Sequence, residues 1–139
     1  MPRSCIVDSG ALVALLDPRE EHHAWARQTL LRQPEPWWTC EAVLAESFFL
    51  LQEPHARTLG GLLRQFHVRI GLNLENELKR ILDLRTKYAS VPMSLADACL
   101  VRMTEILPEP ILVTTDTDFN IYRRHSRQVV PCLMPSKRK

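Results

Sequence analysis

The chain is poor in the features that mark several common protein classes. It has only 4 glycines in 139 residues. Neither G-x-x-x-x-G-K-[ST] nor G-x-G-x-x-G occurs, so no glycine-rich loop is available to cradle the phosphates of a nucleotide. The 4 cysteines, Cys5, Cys40, Cys99 and Cys132, are far apart and form no C-x-x-C pair, which argues against a zinc site or a disulfide framework. Each stands among apolar neighbours, so buried free thiols in a reducing compartment are expected. No apolar run approaches the ~20 residues of a membrane span. Met1-Pro2-Arg3-Ser4 lacks the apolar stretch of a signal peptide, so the expected location is cytoplasmic, with no membrane partner. An excess of one charge is also missing: 18 Lys and Arg against 16 Asp and Glu leave a net +2. That is too little to attract a nucleic acid over the whole surface, so any such attraction must be local. Arg123, Arg124 and Arg127, with His125, form the best candidate patch, although such a run is more often a solvated face.

What remains is an ordinary globular composition, 45% hydrophobic and 24% charged, with enough length for one hydrophobic core. One compact domain over residues 1–134 and a solvated basic tail over 135–139 are expected. Cys5-Ile6-Val7 reads as a short buried strand that delivers Asp8 into a turn. A helix over 10–16 ends at Asp17 because Pro18 disfavours helix in the residue before it. A second helix over 20–32 follows, then a strand at Trp37-Trp38-Thr39-Cys40 and an apolar helix over 41–52. Pro54 suits the first turn of the next helix, whose Leu59, Leu62, Leu63 and Phe66 keep helical spacing. Val68, Ile70, Leu72 and Leu74 alternate with Arg69, Gly71 and Asn73, as a half-buried edge strand would. A helix over 75–88 carries the stripe Leu78, Ile81 and Leu82. Ser94 caps a helix that runs to Leu107, Ile111-Leu112-Val113 is a buried strand, and 129–133 is a last strand with Pro131 at an edge. Strands alternating with helices imply an α/β fold with a mainly parallel sheet covered on both faces.

In such sheets sites form beyond the carboxyl ends of the strands. Asp8, Asp116 and Asp118 lie just past two strand ends, and Asp97 and Glu46 sit near the starts of helices. Each acid has a purely structural reading. Asp8 can cap a helix, Asp97 can complete a capping box with Ser94, and Asp116 and Asp118 can be turn residues. Glu46 differs, because its helical neighbours Ala42, Val43, Phe49 and Leu50 are all apolar. A charge buried among them would need a cation, a hydrogen-bond network or a metal. Several carboxylates at one place repel one another unless a divalent cation intervenes. All-oxygen donors without a His or Cys cluster suit Mg²⁺ or Mn²⁺, which can hold a phosphodiester and activate water. Asp8-Ser9-Gly10 lacks the second aspartate that an aspartate-based phosphotransferase needs. His22 and His23 are adjacent on a helix and point apart. Of Trp37 and Trp38, at least one is expected to pack in the strand rather than stack a base.

Four segments in order carry a family resemblance: Ile6-Val7-Asp8-Ser9-Gly10-Ala11-Leu12-Val13-Ala14-Leu15-Leu16-Asp17, Thr39-Cys40-Glu41-Ala42-Val43-Leu44-Ala45-Glu46, Met93-Ser94-Leu95-Ala96-Asp97-Ala98 and Thr114-Thr115-Asp116-Thr117-Asp118-Phe119. The chain resembles PIN-domain proteins, most of all the VapC-type toxins of bacterial toxin–antitoxin pairs. The resemblance implies a three-layer α/β/α sandwich, a Mg²⁺- or Mn²⁺-dependent endoribonuclease acting on RNA, an antitoxin partner and a homodimer. It implies Asp8 and Asp97 as principal metal ligands and Glu46 completing the acidic set. Asp116 and Asp118 share the fourth motif without a decision between them, and Ser9 and Thr115 are supporting residues. The chain departs from many relatives at Gly10, where they carry Ser or Thr. A catalytically silent PIN domain acting as an RNA-binding or assembly module, or a housekeeping RNA-processing nuclease, are the alternatives.

Overall fold

A computed structural model describes residues 3–136. Of the expected basic tail, residues 137–139 lie outside the described residues. Strand β1 (Ser4–Val7) is buried along its whole length and leads through Asp8 into helix α1 (Ser9–Leu16). Helix α1 ends at Asp17, as Pro18 requires, and the Arg19 guanidinium grips the Asp17 carboxylate at 2.9 and 3.0 Å. Helix α2 (His23–Leu30) starts later than expected. The segment after Pro18 makes successive turns instead, Glu20 N–H to Asp17 O and His23 N–H to Glu20 O. Next come β2 (Trp37–Thr39), α3 (Glu41–Leu50) and α4 (His55–Arg64), with Pro54 as the cap of α4 rather than in its first turn. The chain continues through β3 (Val68–Ile70), α5 (Leu74–Lys87), α6 (Leu95–Ile106), β4 (Pro110–Val113) and a 3-10 turn (Thr117–Asn120). Short strands β5 (Arg123–Arg124), β6 (Gln128–Val129) and β7 (Cys132–Leu133) complete it.

The main sheet has the order β3-β2-β1-β4-β7 and every pairing in it is parallel. Helices flank it, giving the expected three-layer α/β/α architecture. From β1 the chain builds outward through β2 to β3, then returns to the other side of β1 with β4. The order therefore reverses between β1 and β4, the place where open α/β sheets form their crevice. Val7 is in register with Val113 there, so Asp8 and Thr114 leave the sheet side by side. Among the described residues no helix is long and apolar enough to cross a membrane.

Several sequence expectations shift. The strand expected over 68–74 stops at Ile70, because Asn73 caps α5 by accepting from Asn76 N–H (3.1 Å) and Leu74 opens that helix. Phe66 is not part of the α4 stripe; it lies past the helix with positive φ and is exposed. On α5 the buried positions are Ile81 and Leu84, while Leu78 and Leu82 face outward. The expected last strand is divided at Pro131, which has no N–H to offer. Strand β6 pairs antiparallel with β5, and β7 joins β4 as the edge of the main sheet. Cys5, Cys40 and Cys99 are buried free thiols, but Cys132 is only half-buried. Trp37 is buried, and Trp38 is partly covered by the Arg69 guanidinium. Two arginines of the run are tied down, Arg123 by the carbonyls of Asn120, Ile121 and Tyr122 and Arg124 by that of Thr104, whereas Arg127 is exposed.

One ionic knot fastens the β5–β6 hairpin to the helices. The Glu105 side chain is 1% exposed. It accepts from Arg80 (3.1 and 2.6 Å), from Arg102 (3.1 Å) and from His125 N–H (2.6 Å). Burial alone would raise its pKa, but these donors hold it at about 2. Removing Glu105 takes the acceptor from Arg80 and from the His125 N–H, while Arg102 keeps Glu77 at 2.7 Å. Glu105→Ala should cost about 3 kcal/mol in urea denaturation, while the exposed pair of Lys79 and Asp83 should tolerate Asp83→Ala with less than ~0.5 kcal/mol lost.

Candidate active site

Asp8 is the first residue past β1. Its N–H bonds Val113 O (3.1 Å), and its side chain caps α1 by accepting from Ser9 N–H at 2.7 Å. The other carboxylate oxygen accepts the Thr114 hydroxyl at 2.7 Å. Thr114 is the first residue past β4, and its hydroxyl oxygen also accepts Asp116 N–H at 3.0 Å. Asp116 in turn caps the 3-10 turn by accepting from Asp118 N–H at 2.8 Å. One chain of hydrogen bonds thus runs from Asp8 to Asp118 across two strand ends. Asp97 comes from the first turn of α6, where it forms a capping box with Ser94. Its Oδ2 accepts the Tyr122 hydroxyl at 2.9 Å. Tyr122 is fully buried and packs edge-on against Phe119 and Tyr88. The cap of Asp8, the capping box of Asp97 and the turn role of Asp116 are therefore all realised, and the three carboxylates come near enough to act on one another's charge.

Glu46 requires a correction. It is exposed, not buried among apolar side chains, and it is Phe49 that reaches into solvent, at 87% exposure. The burial cost expected for Glu46 does not arise. It approaches the site by another route: the Ser9 hydroxyl donates to Glu46 Oε1 at 2.7 Å and lies 3.4 Å from Asp8 Oδ1. Ser9 thereby spans the two acids. The Thr115 hydroxyl lies so close above Gly10 that a Cβ on residue 10 would overlap it. The space that a side chain at position 10 would need is taken by Thr115. Thr114 and Tyr122 were not singled out in the sequence. Thr114 follows from aligning the ends of β1 and β4 in register; Tyr122 has no sequence signal that separates it from a core aromatic.

The field at this end of the sheet is negative. Asp8 is 7% exposed. Its pKa is pushed up to about 6, chiefly by burial, with Asp97 and Asp116 adding repulsion and the Thr114 and Ser9 bonds opposing. Asp97 is raised as well, by burial and by the charge of Asp116, against the bonds from Tyr122 and Ser94. The Tyr122 phenol is raised by burial, by its bond to Asp97 and by the charges of Asp97, Asp118 and Asp116. Among the described residues no Lys, Arg or His makes a salt bridge to Asp8, Glu46, Asp97, Asp116 or Asp118. Nor do three acidic, His or Cys side chains among them close around one point as a ready-made cage. The donors facing the site are carboxylate and hydroxyl oxygens, and each Asp8 oxygen keeps a lone pair beyond the bond it already accepts. Oxygen donors of this kind are those a hard divalent cation takes.

Comparison with known proteins agrees with this fold. Residues 5–124 match the PIN domain family. Among solved structures, the chain is similar to the Mycobacterium tuberculosis toxin VapC20, described as cleaving the Sarcin-Ricin loop. The TM-score is 0.57 at 20% identity, over 69% of this chain and 77% of that one, a likeness of fold. No curated protein sequence matches the chain.

The shifted Asp8 carboxyl has a measurable consequence. A group whose folded pKa lies above its ordinary value of 3.8 binds its proton more tightly folded than unfolded. Its favourable contribution is complete below about pH 4 and is lost as the pH rises through about 6. In EDTA, wild type should lose up to about 3 kcal/mol between those limits relative to Asp8→Asn. Parallel stability–pH curves for the two proteins would contradict the assignment.

Proposed function

The chain belongs to the PIN-domain family, and from that premise we propose that it is a divalent-metal-dependent endoribonuclease, the toxin of a toxin–antitoxin pair. What supports this reading is that Asp8, Asp97 and Asp116 act on one another's charge near the β1–β4 switch point, and that among the described residues no Lys, Arg or His makes a salt bridge to them. The description of VapC20 as a toxin that cuts an RNA loop supports RNA as the substrate. When bound, Mg²⁺ or Mn²⁺ supplies a Lewis acid for the phosphodiester and lowers the pKa of water. Asp8, Asp97 and Asp116 would hold that charge, with Asp118 beside them. Thr114 and Tyr122 fix the carboxylates so that they need not reorganise. Glu46, at the solvent edge, accepts the proton of the attacking water, and Ser9 orients Glu46 relative to Asp8. Thr115, pressed on Gly10, supports the loop that carries Asp116.

An antitoxin and a second copy of the chain are the proposed partners. The apolar side chains exposed on α3 and beside β3, Phe48, Phe49, Leu50, Phe66 and Ile70, offer surface for either. The buried thiols of Cys5, Cys40 and Cys99 suit a reducing cytoplasm. One observation favours a second reading: no three ligands stand ready-placed for a metal among the described residues. That arrangement suits a catalytically silent RNA-binding or assembly module.

Cleavage of RNA by the purified protein separates the two. With Mn²⁺ or Mg²⁺ the wild type should cut, and EDTA should abolish cutting. Asp8→Ala and Asp97→Asn should each lose at least about 100-fold, and Thr114→Val, which keeps the shape but not the hydroxyl, about 10-fold or more. Equal activity in all variants would signal a contaminating nuclease and count for the silent module. In induced bacteria, growth arrest and new RNA ends should follow expression of wild type and not of Asp8→Ala.

A further inference from the structure

Strand β3 is one edge of the main sheet, and it pairs with β2 alone. That pairing uses alternate residues. Trp37 N–H bonds His67 O at 2.9 Å and Gly71 N–H bonds Thr39 O at 3.0 Å, with Trp38 in register with Arg69 between them. Residues 67, 69 and 71 therefore face β2, and the backbone N–H and C=O groups of Val68 and Ile70 point away from the sheet. Among the described residues no backbone group elsewhere in the fold bonds them. Against this edge, below β3 and helices α3 and α4, runs a groove of about 480 Å³ lined by Leu44, Leu63, Phe66, Val68, Arg69 and Ile70.

The groove is apolar, with Phe66 65% and Ile70 46% exposed, and the one charged residue in its lining is Arg69. Strand alternation puts Val68 and Ile70 on one face and Arg69 on the other. There the Arg69 guanidinium lies 5.9 Å from the Trp38 ring centroid and 5.3 Å from that of Phe66. Among the described residues Arg69 makes no salt bridge. Free edge groups beside an apolar groove are what an added strand requires. Its backbone pairs with Val68 and Ile70, and its alternate side chains enter the groove. The residues between them meet Arg69, for which a carboxylate is the matching group. Charge disfavours a second copy of this chain as that strand. Antiparallel pairing of β3 with itself over its whole length sets Arg69 directly opposite Arg69, an unfavourable like-charge pair.

We propose that the β3 edge takes up an extended segment of a partner protein in which apolar and acidic residues alternate, lengthening the sheet by one strand. None of the site carboxylates lines the groove, so the proposal stands apart from the ribonuclease reading, and its test uses no RNA. The probes are two capped synthetic peptides of equal length, one alternating Glu with Val and the other Lys with Val. Each is titrated into the isotope-labelled full chain. The Glu–Val peptide should bind saturably, shift the amide resonances of Val68 and Ile70, and slow their hydrogen exchange about 10-fold or more. The Lys–Val peptide should bind about 10-fold more weakly, and Arg69→Glu should exchange the two preferences. Ile70→Pro removes an N–H that β2 does not use. It should weaken the Glu–Val peptide about 10-fold, whereas Ile70→Val should leave it unchanged. Should Ile70→Pro fail to fold, the charge exchange at the exposed Arg69 decides. No saturable binding, equal binding of the two peptides, or binding that leaves Val68 and Ile70 unshifted would overturn the proposal. So would protection of those two amides that grows with protein concentration in the absence of peptide, which would make a second copy the occupant.

Discussion

Two strands that leave the sheet in register, each handing over a polar residue, set the geometry of everything downstream. Val7 pairs with Val113, so Asp8 and Thr114 emerge together, and the Thr114 hydroxyl reaches both the Asp8 carboxylate and the Asp116 N–H. One hydroxyl thus joins acids 108 positions apart, as donor to Asp8 and acceptor from Asp116. It is buried, where a bond satisfied on both sides is costly to break. Because β1 is the central strand and the sheet order reverses beside it, this junction sits where the fold leaves an open crevice.

Like charges crowd there because the local structure favours each one separately. Asp8, Asp97 and Asp116 all sit at the starts of helical segments and accept from backbone N–H groups. Those groups satisfy orphan donors, and the helix termini favour negative charge. The caps secure each carboxylate's direction. They do not remove the repulsion among the carboxylates, which adds to burial, the larger cause, in raising the pKa values of Asp8 and Asp97. A structural role and a chemical role are thus carried by the same bonds. A cation bound at this end of the sheet would recover stability given up in the free protein.

Much of this was legible from residue order. Short continuous apolar strands alternating with helices pointed to the parallel α/β sheet, and the strand ends pointed to the edge where Asp8 and Asp116 are joined through Thr114. Ser94 and Asp97 gave the capping box that is observed. Glu46 was reached by a wrong route, because helical spacing tells which residues share a face but not whether that face is covered. Helix α3 lies with Phe48, Phe49 and Leu50 outward, so apolar neighbours did not imply burial. The same limit applies to the expected α5 stripe of Leu78, Ile81 and Leu82, of which Ile81 is buried while Leu84 takes the place of the other two. Thr114 and Tyr122 act through contacts between elements distant in sequence, on which local pattern is silent. The strand over 129–133 divided because Pro131 cannot donate to a ladder, yet its carbonyl still accepts from Leu112 N–H at 2.8 Å.

The central claim is that Asp8, Asp97 and Asp116 share one divalent ion. Anomalous diffraction from crystals grown with Mn²⁺ tests it without reference to any substrate. The account predicts a manganese peak within coordination distance, about 2.1–2.3 Å, of oxygens from these carboxylates. A fully occupied peak elsewhere, or none at this end of the sheet at saturating Mn²⁺, would contradict it.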